Sequence, residues 1–155
     1  SINPVVPLDV SITRIAVTRE EDMQVSAEGE GGKSTEMGRK AVVPYGLYRC
    51  SGFFNPHHAE RTGVTPEDLA LIWQALQHMW EVDRSAARGF MACRGLWVFT
   101  HESKLGNAPA HRLFERISVR RRTDGPEVAR SFADYEVEVQ KDDLPAGVTL
   151  TALVD

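Results

Sequence analysis

Histidines and arginines are the side chains through which this chain could do chemistry. His101 and His111, with Glu102 beside the first, flank a glycine-punctuated loop. Such a pair could serve as general acid and base on one phosphodiester, as metal-independent RNA cleavage requires. The rest of a catalytic centre is missing from the pattern: nothing supplies a carboxylate cluster for magnesium, and no G-x-S-x-G nucleophile motif occurs. His57 and His58 are adjacent and would point apart on a strand, and His78 falls within a helical stretch, so neither makes a metal site. Gly29, Gly31 and Gly32 followed by Lys33-Ser34 echo a phosphate loop without the leading glycine that its geometry needs, and a flexible tip is the expectation. Gly38-Arg39-Lys40 is different in kind. It sits where an acidic loop enters a strand, and two adjacent cations there could close on a phosphate backbone.

Charge supports an anionic ligand once it is read by region. The formal net is -4, but residues 84–122 hold 9 basic and 2 acidic side chains. Residues 1–83 hold 7 and 12, and residues 123–155 hold 2 and 8. A basic segment between acidic flanks raises local potential, which is what attracts phosphates. A solvated face laced with ion pairs would give the same counts.

Composition sets outer bounds. With 155 residues, 42% hydrophobic and 26% charged, the chain is of ordinary globular type and long enough for one domain with a core, and a single domain over 1–155 is expected. No stretch nears the roughly 20 apolar residues of a membrane span and no basic-then-apolar leader opens it, so the expectation is a cytoplasmic protein without a membrane partner. Cys50 and Cys93 lie singly in apolar segments, which predicts buried thiols. No metal or cofactor is implied.

The elements that must position these groups follow from periodicity. Residues 8–18 alternate and then shift phase across Arg14, reading as one strand. Residues 19–39 are acidic, glycine-rich and poor in large apolar side chains, so a mobile loop or hairpin insert is expected. Residues 41–54 form a second strand region, interrupted by Pro44 and Gly46 and closed at Asn55-Pro56. Thr65-Pro66-Glu67-Asp68 starts a helix whose apolar stripe is Leu69, Ile72, Trp73, Leu76 and Trp80, the tryptophans being core residues. Residues 91–100 read as a central strand, 109–117 as a short helix, and 118–123, 135–140 and 148–154 as strands. The order predicts an α+β fold compatible with a ferredoxin-like or RNA-recognition-motif-like antiparallel sheet with helices on one face.

Several blocks stand in an order that is not generic. They are Asp9-Val10-Ser11-Ile12-Thr13-Arg14, Met37-Gly38-Arg39-Lys40, Pro44-Tyr45-Gly46-Leu47-Tyr48-Arg49, Asp83-Arg84-Ser85-Ala86-Ala87-Arg88-Gly89 and Gly106-Asn107-Ala108-Pro109-Ala110-His111. With Leu144-Pro145 and Gly147-Val148-Thr149-Leu150, they resemble the CRISPR-associated backbone subunit of type I-C Cascade, from Asp9 almost to the end of the chain. Members of that family are longer, and this chain, which starts at Ser1 without a methionine, is similar to their C-terminal half. The resemblance implies a fragment whose RNA-recognition-type core lacks its first strand and helix.

The resemblance further implies a non-catalytic subunit that coats guide RNA (crRNA) without reading its sequence. Copies would assemble head to tail beside other Cascade subunits and meet target DNA through the guide. The 19–39 insert would then be a hairpin folding over the strand. Arg14, Arg39, Lys40 and Arg49 are the leading phosphate contacts on this view, followed by Arg84, Arg88, Lys104 and Arg112. Two alternatives stay open: an endoribonuclease using His101 and His111 on guide precursor, and a purely structural protein-interaction module.

Overall fold

The computed structural model describes residues 2–6, 8, 11–17, 36–85 and 89–155. Helices and short antiparallel strands combine in an α+β fold, and the chain groups into two compact units that each draw on two stretches. One unit comprises Ser1–Ser51 with Val119–Glu136, the other Gly52–Ser118 with Val137–Asp155.

In the first unit, strand β1 (Ile2–Pro4) pairs antiparallel with β4 (Tyr48–Cys50), and β2 (Ser11–Val17) with β3 (Glu36–Val42). Pro4 has no N–H to give, and a two-stranded ladder leaves it an edge position where none is needed. Residues 36–39, expected within the mobile insert, are instead strand. Val17 pairs with Glu36, and the rest of the expected insert lies outside the described residues. Among the described residues of this unit, Tyr135 and Ala129 are buried. The Tyr135 ring lies 6.1 Å from that of Tyr45. Asp134, at the end of the 3-10 turn Phe132–Asp134, accepts the N–H groups of Arg130 and Ser131 at 2.8 and 2.9 Å and the Ser131 hydroxyl at 3.1 Å.

The second unit holds helix α1 (Pro56–Thr62), α2 (Pro66–Val82), strand β5 (Leu96–His101), α3 (Ala110–Phe114) and β8 (Val148–Val154). Among its described residues Ala59, Leu113, Ile117 and Val148 are buried, with Leu113 only 2% exposed. The Phe53 and Phe114 rings meet edge to face at 5.4 Å. β5 and β8 pair antiparallel from Leu96↔Val154 to His101↔Val148, with an irregularity between Leu96 and Trp97. A side chain on Gly95 would collide with the Trp97 ring at 2.2 Å, so only glycine fits beside that bend. A further two-stranded ladder pairs β6 (Ile117–Arg121) with β7 (Tyr135–Val139).

α2 forms where the sequence predicts, but none of its residues is buried, and Trp73 and Trp80 are half-buried rather than core residues. Thr65 and Asp68 complete a reciprocal capping box at Pro66, and Leu69, Trp73, Leu76 and Trp80 make a half-buried stripe, while Ile72 is exposed. α1 is an element the sequence reading did not predict. The Asn55 side chain accepts the N–H groups of His57 and His58, Pro56 fits the first turn, and Gly63 ends the helix at φ 75. His57 and His58 therefore stand on a helix, not a strand, and both are exposed. Both cysteines are free thiols, and Cys50 is exposed rather than buried because β4 leaves it on the open side of a two-stranded ladder.

Candidate nucleic-acid interface

The β2–β3 register decides which cations can act together. Arg14 and Arg39 are direct partners across the ladder, and Lys40 is the partner of Thr13. Successive strand residues alternate in facing, so Arg39 and Lys40 present their exposed side chains to opposite faces and do not form a clamp with each other. The cation that register assigns to Arg39 is Arg14, 25 positions earlier in the sequence.

Arg49 stands on β4 opposite Asn3 and is half-buried. With Asn3, Pro4, Val5, Ser51 and Val119 it lines an open cleft of about 230 Å³ within the first unit. A planar guanidinium among amide and hydroxyl groups suits a phosphate oxygen.

The four weaker candidates sit differently. Lys104 forms an ion pair with Glu60 of α1, and this pairing holds the Glu60 carboxyl below the usual range. Arg84 caps the end of α2: its Nε donates to the Glu81 carbonyl at 2.9 Å, and its guanidinium carbon lies 5.0 Å from the centre of the Phe90 ring. Arg112 is exposed in the last turn of α3. Arg88 lies outside the described residues.

Other arginines of the basic segment are committed to backbone and carboxylate partners. Arg116 donates to the carbonyls of Asp142 and Asp143 at 2.8 and 2.7 Å, Arg122 to that of Ala133 at 3.0 Å, and Arg121 to that of Glu127. Arg120 pairs with Glu136 at 3.0 Å and holds that carboxyl below its ordinary range. Much of the positive charge counted over 84–122 thus serves the fold. No feature of composition separates these arginines from ligand-facing ones.

The histidine loop is tied down by its own backbone. His101 Nδ1 accepts the Asn107 N–H at 2.9 Å, and Asn107 Oδ1 accepts the Ser103 N–H at 2.9 Å. His101 therefore spends one ring nitrogen on loop geometry, while His111 stands exposed on α3. Among the described residues no three His, Cys, Asp or Glu side chains are grouped to hold a metal ion, and no helix is long and apolar enough to cross a membrane.

Comparison with known proteins adds one positive finding. The family model described as CRISPR-associated protein Cas7 matches residues 1–140, while no curated protein matches the chain.

Proposed function

Since the chain belongs to the CRISPR-associated protein Cas7 family, we propose that it is a crRNA-binding backbone subunit of a type I-C interference complex. It coats the guide without reading sequence, performs no chemistry on it, and assembles with copies of itself and with other Cascade subunits in the cytoplasm. Target DNA reaches the complex through pairing with the guide.

The observation that supports the proposal most directly is the register of Arg14 against Arg39. A cross-strand pair of cations binds phosphate by charge and offers no base-edge pattern, so affinity follows the backbone and not the sequence. Arg49 in its cleft and Lys40 on the opposite face of β3 add contacts of the same kind.

The test is a titration of labelled single-stranded RNA, repeat-derived and scrambled, against this chain and its Arg39→Glu/Lys40→Glu variant. Equal affinity for both RNAs, lost in the variant, is expected. A strong preference for repeat-derived RNA, with the RNA cut by the chain and left intact by a His101→Ala/His111→Ala variant, would replace the coating reading with the endoribonuclease one.

A further inference from the structure

Phe90 is the residue whose placement the coating reading leaves unexplained. It is 88% exposed, an unusual position for a phenylalanine, and yet it is not on a loose end. Gly89 takes a left-handed conformation at φ 63 and donates its N–H to the Ser85 carbonyl at 2.9 Å, closing a bridge between these residues. Arg84 is fixed in turn by its 2.9 Å bond to Glu81, and lays its guanidinium 5.0 Å from the centre of the Phe90 ring. Two flat groups are thus held together at the end of a 17-residue helix with the ring open to solvent.

We propose that Arg84 and Phe90 form a stacking platform for an unpaired nucleobase. This rests on the RNA-binding reading and adds a subsite to it. The chemistry fits a base better than a phosphate. Glu81 and Asp83, close to Arg84 in the sequence, carry charge of the sign that disfavours a phosphate, whereas the aromatic face and the guanidinium plane both stack on the π-face that every base carries. Such stacking is indifferent to sequence, as coating demands, and it takes a base that the bound strand has already splayed out.

The experiment measures RNA affinity and 2-aminopurine emission with the full chain, using a single-stranded RNA that carries 2-aminopurine and a matched RNA with abasic positions. Circular dichroism of each variant establishes that it is folded. Phe90→Ala and Phe90→Leu are each expected to weaken binding of the base-bearing RNA by roughly tenfold or more. Phe90→Tyr is expected to retain both affinity and emission quenching, and the abasic RNA to bind all four proteins alike. Unchanged affinity and quenching in Phe90→Ala, with binding still lost in Arg39→Glu/Lys40→Glu, would overturn the platform and leave the coating reading standing. A Phe90→Ala variant altered only in self-association by sedimentation would also overturn it, assigning the ring to a protein contact. Failure of the unsubstituted chain to bind either RNA would remove both.

Discussion

Gly147 shows how little room the loop between His101 and His111 leaves. Its φ is +74, and a Cβ there would lie 2.3 Å from Asn107 Nδ2 and 3.2 Å from Glu102 Oε2. Asn107 cannot swing away without losing the Ser103 N–H that its Oδ1 accepts. Gly147→Ala is therefore expected to destabilise the fold by about 1–3 kcal/mol, read from the midpoint of denaturant unfolding. Asp134 carries a second prediction of a different kind. The N–H groups of Arg130 and then Ser131 hold its carboxyl below the usual aspartate range, so its folded pKa is depressed relative to the unfolded chain. The stabilisation is thus present above about pH 4, where unfolded aspartate ionises, and is lost as pH falls through the lower folded value. Urea unfolding from pH 7 down to acid should show the unsubstituted chain losing more stability than Asp134→Asn. An equal loss in both would mean that the turn does not depend on that charge.

Elements differ in how openly the sequence announces them. α2 was legible because Thr65, Pro66 and Asp68 each favour a helix start by independent physics and a periodic apolar stripe follows. α1 was not, since Asn-Pro serves equally as a turn and as a cap with proline in the first turn, and the seven residues after it carry no apolar stripe. Asn55→Ala is expected to cost about 1 kcal/mol and to fray α1 in hydrogen exchange, with α2 unaffected. Equal fraying in both helices would contradict the separate capping of each. Among the strands, β8 was read at its observed bounds, while β3 starts at Glu36, inside what looked like insert. Its sequence lacks alternation strong enough to signal pairing, and the partner is far away in the chain. The candidate site was legible to the same extent. The family resemblance names Arg14 and Arg39 singly, but their opposition depends on strand register, which composition does not reveal.

For the molecule as a whole, the balance of charge constrains how RNA is held. A net charge of -4 disfavours diffuse attraction to a polyanion, so the proposed binding calls for local groups, for which the Arg14–Arg39 register is the candidate. In the titration proposed above, each phosphate contact removed should flatten the dependence of log affinity on log salt by about 0.7 for single-stranded RNA. The Arg39→Glu/Lys40→Glu variant should therefore differ in slope as well as in strength, whereas Phe90→Ala should shift strength at constant slope. The interleaving of the two units has a further effect, on biogenesis. The first unit closes only with Val119–Glu136, and the second opens at Gly52 and closes with Val137–Asp155. On the ribosome, then, the amino-terminal strands emerge well before the partners that complete their unit. Their ladders can pair as they emerge, but Ala129 and Tyr135, which are buried in the finished unit, follow only when residue 136 has cleared the exit tunnel, and this window is when a chaperone or a nascent neighbour could capture them.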